Sequence, residues 1–281
     1  MKKKFQRVQK KMMKRLKPVL DFTAAMDKKN IAVMAAGIAY FTLLAVFPGV
    51  AAGMAIALFL LEPTQVEAVM VALGAYLPDE ITNVLTVVLS RQAEAGSGNL
   101  VMAAVGIAIA LFGASGAMQN TTKALNTVFA EKETRNMVRL RLISIALTIG
   151  VILVAAMVIA LLLFSQGQLV RWGVPEWLAI MIAILRWPAM FVVINAALLA
   201  LFRYGANRET APRSFITPGG TAATLLWLVI TAGFFWYLQH FAGFAQSYSV
   251  FAGIIALMMW FNFSAMAILI GALVDARYAK H

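Results

Sequence analysis

Arg186 is the residue whose type and position raise a chemical question first. It lies nine positions after Trp177, inside the apolar stretch Trp177–Phe202, or ~13–15 Å along a helix that rises 1.5 Å per residue. A charge at the centre of a membrane helix costs at least ~2.5 kcal/mol on insertion scales. A guanidinium placed there is expected to face protein or a water-filled cavity, where it suits a carboxylate or phosphate. The alternative is that it snorkels to the membrane surface, or braces the outer helices through Asp79, Glu80 or Glu176. Pro188 follows two residues later and lacks a backbone donor, which could free the carbonyl of Ile184. Asn195 is nine residues on, two and a half helical turns, and is expected on roughly the opposite side. Asn262 stands in a later apolar run, where an amide needs a partner. Arg186, Asn195 and Asn262 are therefore the candidate substrate-binding residues, and Pro48 and Pro188 the candidate hinges or kinks.

The missing residue types narrow the chemistry. No Asp or Glu lies in the middle of any apolar run, and Asp275 stands at the end of the last one. The two histidines, His240 and His281, are peripheral. Proton-driven carriers and cation channels with acidic rings are thereby disfavoured. The chain has no cysteine, which excludes disulfides and, with so few histidines, a usual zinc site. HExxH, GxSxG and P-loop patterns are absent. No enzyme, metal or cofactor is expected. Thr42, Ser144, Thr148, Thr224, Thr231 and Ser264 read as helix-packing groups.

The elements that must position Arg186 follow from composition. Hydrophobic residues make up 62% of the chain and charged ones 13%, and the mean hydropathy is +0.83. A soluble core of this size would not hide that much apolar surface. Six runs can span a membrane as helices: Ile31–Leu61, Leu100–Met118, Leu142–Phe164, Trp177–Phe202, Phe215–Phe241 and Val250–Val274. They do not alternate with period two, which favours helices over barrel strands. The fold class is an all-α polytopic membrane protein with six transmembrane helices. Charge sets the topology. Eleven Lys or Arg precede the first run, and the loops and tail on that side bring the total to twenty-one, against Arg91 and Arg171 on the other. Both termini are expected in the cytoplasm.

Residues 1–30 form a basic amphipathic segment, with Phe5, Val8, Met12 and Leu16 at helical spacing and Pro18 expected to end it. It suits the anionic phospholipid of the inner leaflet, or serves only to fix topology. Nucleic acid is not an expected partner, because the +12 net charge is mostly positive-inside bias and no aromatic platform accompanies it. The transmembrane domain covers 31–276, and 277–281 is a short tail. Within it, 62–98 is an outer insertion carrying two short amphipathic helices on either side of Pro78 and Asp79. Trp172 and Trp177 suit the interfacial aromatic belt. The sequence carries no mark of a particular oligomeric state.

Three stretches carry a resemblance. Ala35-Ala36-Gly37-Ile38-Ala39-Tyr40-Phe41 opens the first run with Pro48, and Ala124-Leu125-Asn126-Thr127-Val128-Phe129 follows the second. Pro218-Gly219 with Ala223-Thr224-Leu225-Leu226-Trp227 precedes Tyr248, Leu257-Met258-Met259-Trp260 and Gly271-Ala272. Their order and spacing resemble the YihY/virulence factor BrkB family of bacterial inner-membrane proteins. The resemblance implies six helices in the cytoplasmic membrane, a former ribonuclease BN label, and discussion of some members as exporters or lipid-related transporters. The enzyme that bears that name is a soluble zinc hydrolase, whose His/Asp-rich site two peripheral histidines do not imitate. This chain departs from the family pattern at Ala45, Ser249 and Leu273, where Ser, Gly and Glu are common.

Two functions follow. One is a transporter-like protein that binds or moves an anionic amphipathic molecule such as a lipid, with Arg186 on the head group and 62–98 gating the outer side. The other is a non-transporting scaffold that organises lipid. An intramembrane enzyme ranks third, because no acid–base pair or nucleophile stands at membrane depth.

Overall fold

Leu, Ala, Ile, Val and Met dominate the long runs, and backbone polar groups in hydrocarbon must be paired within the segment, which leaves the helix as the local solution. The computed structural model describes residues 16–18, 20–60, 86–87, 100–163, 166–208, 217–241 and 249–278. It is all-helical there, with no strand among the described residues. The helices are α1 (Leu16–Lys28), α2 (Ile31–Leu60), α3 (Leu100–Phe129), α4 (Met137–Leu163), α5 (Gln166–Arg171), α6 (Glu176–Ala200), α7 (Pro218–Phe241) and α8 (Ser249–Tyr278). A π-helical turn, Leu201–Gly205, extends α6.

Four helical stretches, Met137–Leu162, Glu176–Gly205, Pro218–Leu238 and Gly253–Tyr278, are long and apolar enough to cross a membrane. The pair Leu16–Lys28 and Ile31–Val46, bent by 52°, brings the number to five if it is one span. The bend falls at Asn30, whose φ of 52° is left-handed, a conformation that Asn tolerates better than most residues. Several sequence-based boundaries shift. Pro18 lies in the first turn of the helix Leu16–Lys28, and residues 1–15 of the expected amphipathic segment lie outside the described residues. α3 continues past Met118 to Phe129, and α4 begins before Leu142, so Lys123, Arg139 and Arg141 sit in helices rather than in a loop. α8 includes Arg277 of the expected tail. Pro48 and Pro188 each fall within a continuous helix. The expected helices of 62–98 lie outside the described residues, except Thr86 and Val87.

The long helices form a ring of neighbours, α2–α3–α4–α6–α7–α8 and back to α2, with α8 also touching α3. The α7–α8 edge has a defined register. Gly219 and Gly271 let the two backbones meet, since a Cβ on Gly271 would lie 2.5 Å from both Ala223 Cβ and the Gly219 carbonyl oxygen. Further along, Trp227 Nε1 of α7 donates to Ser264 Oγ at 3.1 Å, and Trp260 Nε1 of α8 donates back to Thr231 Oγ1 at 3.3 Å. Each indole is half-buried and pairs its N–H across the interface, as a tryptophan partly withdrawn from water must.

Among the residues whose burial is described, the core lies toward one end of these helices. Buried residues fall in 31–45, 115–129, 140–148, 190–206, 217–224 and 264–275; the two exceptions among the described residues are Leu169 and Ala179. All six segments belong to one end of the ring, where α2, α4 and α7 begin and α3, α6 and α8 finish. That end also carries Lys28, Lys29, Lys132, Arg135, Arg203, Arg208 and Arg277. Gly271→Ala should force α7 and α8 apart and lower stability in detergent by about 1–3 kcal/mol. Gly233→Ala on α7, where a Cβ meets nothing within 4 Å, should leave the melting temperature unchanged. Equal melting of the two variants would show that the interface yields freely.

Candidate functional site

α6 places Arg186 on its inner stripe. Ala179 at 0% and Met190 at 8% exposure lie one to two turns away on the same face, whereas Ile184, Leu185 and Trp187 are exposed. The guanidinium stacks 5.3 Å from the Trp187 ring centroid. Its Nε and Nη1 atoms are buried and have no hydrogen-bond partner. Glu176, one of the braces considered from sequence, opens α6 and is exposed, and Asp79 and Glu80 lie outside the described residues.

The other two candidates are not brought to Arg186. Asn195 is 5% exposed and its Nδ2 donates to Thr224 Oγ1 of α7 at 3.2 Å; that hydroxyl donates in turn to the Gly220 carbonyl at 2.9 Å. Asn195 therefore ties α6 to α7, on the side away from Arg186 as its spacing requires. Asn262 is half-buried on α8 and makes no hydrogen bond among the described residues. Of the hydroxyls read as packing groups, Thr224, Thr231 and Ser264 pair with a side chain of a neighbouring helix, whereas Thr42, Ser144 and Thr148 each donate to the carbonyl four residues back in their own helix.

Two polar locks at the basic end were not foreseen. The first joins α7 to α8. Thr217 is the N-cap of α7, with Pro218 in the first helical position. Its Oγ1 accepts from Gly220 N at 3.0 Å and donates to Asp275 Oδ2 at 2.6 Å, while Gly219 N donates to Asp275 Oδ1 at 2.6 Å. The carboxylate of α8 thus sits on the positive end of the α7 dipole, buried at 5% exposure.

The second lock joins the α3–α4 turn to the end of α6. α3 closes with Glu131 N donating to the Asn126 carbonyl at 2.9 Å and Ala130 N to Thr127 at 3.3 Å, with Ala130 at a φ of 61°. That is the Schellman pattern, with Ala where Gly is usual. Asn136 caps α4 through Arg139 N at 2.8 Å. Between these caps, Arg135 donates from Nε and Nη2 to the two Glu133 oxygens, each at 2.7 Å, and from Nη1 and Nη2 to the Tyr204 and Gly205 carbonyls at 3.2 and 2.9 Å. Those carbonyls belong to the π-helical turn and lack a further turn of helix to bond them. Asn126 Nδ2 donates to Glu133 Oε2, and Asn126 Oδ1 accepts from Asn207 N, both at 2.7 Å. Asn207 Nδ2 donates to the Lys132 carbonyl and Thr134 Oγ1. Arg208 lies 4.2 Å from the Phe129 ring centroid. Burial lowers its pKa, opposed by the charges of Asp275 and Glu131, and a guanidinium stays protonated regardless.

Residues 22–281 match the family described as Virulence factor BrkB. The chain belongs to that family. Among its relatives is YfkH of Bacillus subtilis (strain 168), described as ribonuclease-like, which is 28% identical over 249 residues, 87% of this chain and 89% of its own. A UPF0761 membrane protein of Nitrosospira multiformis is 25% identical over 274 residues, 95% of this chain and 62% of its own. Another from Pseudoalteromonas translucida is 26% identical over 246 residues, 86% of this chain and 79% of its own. No solved structure matches the chain. This BrkB-family chain is accordingly a multi-pass membrane protein. Among the residues that carried the resemblance, Asn126, Gly219, Trp227, Trp260 and Gly271 take part in the locks and the α7–α8 clasp.

The Arg135 side chain beside Glu133 holds that carboxyl below the usual carboxylate range, helped by backbone and Asn126 hydrogen bonds against a smaller cost of burial. A pKa lower in the folded state contributes stability that is present above the ordinary value and is lost as pH falls through the lowered one. Melting in detergent should therefore decline below the ordinary carboxylate range, and Glu133→Gln should flatten that decline. An unchanged acid slope in the variant would show that the lock does not report through Glu133.

Proposed function

We propose that this protein is a six-span inner-membrane protein, with both termini in the cytoplasm, that binds and moves an anionic amphipathic molecule such as a lipid at Arg186. The observation that carries the reading is the pair of buried, unpartnered nitrogens on that guanidinium. An unpaired buried charge costs several kcal/mol, and the middle of the apolar helices offers no carboxylate to offset it. A phosphate or carboxylate head group supplies the missing acceptor, and its tail is at home beside the exposed Ile184, Leu185 and Trp187.

Six spans are supported by the lengths of α2, α3, α4, α6, α7 and α8, 24 to 30 residues each. At 1.5 Å per residue all exceed a hydrocarbon core of ~30 Å. Cytoplasmic placement of the basic end follows the positive-inside bias. The basic N-terminal segment would hold anionic phospholipid of the inner leaflet. The reading is not catalytic: two peripheral histidines and no cysteine leave little with which to build a nucleophile or metal centre. A lipid-organising scaffold is the second reading, favoured by the way Asn195 spends its amide on Thr224 rather than on a pathway.

Native mass spectrometry of the full chain in nanodiscs tests the choice. Wild type should retain a defined anionic lipid or amphiphile, and Arg186→Leu should lose it while remaining folded. Retention of the same species by both would rule out Arg186 as its contact. Retention by neither would transfer the weight to the scaffold.

A further inference from the structure

The two segments that the second lock fastens bring their cations to one edge of the molecule. Residues 132–135 lie against 204–207: Arg135 donates to the Tyr204 and Gly205 carbonyls, and Asn207 Nδ2 donates to the Lys132 carbonyl at 2.7 Å and to Thr134 Oγ1 at 2.8 Å. Five cations stand on these segments and the first turn of α4, namely Lys132, Arg135, Arg139, Arg203 and Arg208. Two carboxylates accompany them, and both are already engaged. Glu133 is bound to Arg135, and the charge of Glu131 acts on Arg208. Lys132, Arg139 and Arg203 are exposed and make no ion pair among the described residues. Apolar groups adjoin them. The Arg203 guanidinium lies 5.5 Å from the ring centroid of Tyr204, which is 57% exposed. On α4, Val138, Leu142, Ile149 and Leu153 fall within about 60° of one another at 3.6 residues per turn, and all four are exposed. An apolar strip therefore starts beside Arg139 and follows α4 away from the basic end.

We propose that this edge is a binding site for an anionic phospholipid of the leaflet that meets the basic end. Lys132, Arg139 and Arg203 hold its phosphate, the Tyr204 ring lies at the head-group level, and an acyl chain follows Val138, Leu142, Ile149 and Leu153. The site is separate from Arg186, which stands seventeen residues before Arg203 on the same helical stretch, or ~25 Å at 1.5 Å per residue. It stands on the membrane location alone and does not require Arg186 to bind anything. Topology accounts for cations near a membrane surface but asks nothing of how they are held. Here the backbone that carries them is fixed by the lock, and a site already ordered loses less freedom on binding. Like charges held together on one edge repel, and an anion among them relieves the repulsion. A zwitterionic head group brings a cation of its own and relieves it less. The order of cation, aromatic ring and aliphatic strip matches the order of phosphate, interface and hydrocarbon in a bilayer. The π-helical turn contributes by burying Leu201, Phe202 and Gly205 while leaving Arg203 and Tyr204 outside.

The test is native mass spectrometry of the full chain in detergent, titrated with phosphatidylglycerol or with phosphatidylcholine of the same acyl chains. The protein should take up phosphatidylglycerol in preference. Arg139→Gln with Arg203→Gln removes two side chains that belong to neither lock, so the melting temperature should hold while uptake weakens by roughly tenfold or more. Lys17→Gln with Lys28→Gln removes the same charge from exposed positions of α1 at the same end and should leave most of the uptake. Tyr204→Ala takes away the ring but keeps the carbonyl that Arg135 uses, and should weaken uptake by a smaller factor. Equal loss in the two charge pairs would overturn the site in favour of a diffuse attraction by the whole basic end. Equal uptake of the two lipids, or undiminished uptake after Arg139→Gln with Arg203→Gln, would overturn it as well. Repeating the titration in Arg186→Leu counts lipid held on α6 apart. That variant should still take up phosphatidylglycerol, and loss of all uptake there would assign the lipid to Arg186 and remove the edge site. Failure of the edge and failure of the Arg186 reading are thereby told apart.

Discussion

Asp275 accepts from two groups at the start of a neighbouring helix, and much of the basic end depends on that arrangement. An α-helix beginning away from bulk water leaves backbone N–H groups without partners. α7 answers with three devices at once. Pro218 removes one donor, Thr217 accepts from Gly220, and Asp275 accepts from Gly219. The last of these reaches across from α8, which requires the two backbones to be nearly in contact. Gly219 and Gly271 make that approach sterically possible. The carboxylate, the glycines and the cap are therefore one interaction, and the register of Trp227 with Ser264 and Trp260 with Thr231 follows from it.

The second lock solves the complementary problem at a helix end of opposite polarity. The π-helical turn at Leu201–Gly205 leaves carbonyls that no further turn can bond. Arg135 brings a planar set of donors to two of them and to a carboxylate at the same time, which a lysine's single ammonium would not reproduce. Asn126, at the end of α3, uses its donor on Glu133 and its acceptor on Asn207. Positive charge at the basic end is thus more than a topological label. One arginine is consumed in closing the bundle, and others remain at the surface.

How far all this could be read in advance depended on the range of the interaction. Helices, their order and the side carrying the cations are properties of local composition, and they were legible. α3 was read too short because its last eleven residues, with Asn120, Thr121, Thr122 and Lys123 among them, look polar in isolation. Thr121 and Thr122 are tolerated there because they are buried against other helices, while Lys123 remains exposed. Asn195 was placed on the face opposite Arg186 as a candidate substrate contact, but its bond to Thr224 was not legible, since a spacing along one helix says nothing of a residue on another. Asp275 was noted only as a charge at a helix end. A signal was present in the Thr-Pro-Gly-Gly of residues 217–220, a strong helix start, but no periodicity links it to a carboxylate fifty-six residues later. The motifs that carried the family resemblance were legible as a pattern and illegible as contacts.

Arg186 and Asp275 are opposite answers to the same dielectric problem. Both are charges withdrawn from water, and each needs compensation to be tolerated. Asp275 has it from a helix dipole, a hydroxyl and an amide. It makes no ion pair; among the described residues the one ion pair is Arg135 with Glu133. Compensation by neutral dipoles leaves the carboxylate held without being neutralised, and the cost of separating it from them is smaller than that of splitting a buried ion pair. Arg186 has no such compensation from the described residues, only the face of Trp187. The asymmetry itself is informative. Apart from the Thr122 hydroxyl, the buried side-chain polar atoms of the basic end are paired among the described residues, and the unsatisfied charge lies on α6, where an incoming anion gains most from meeting it.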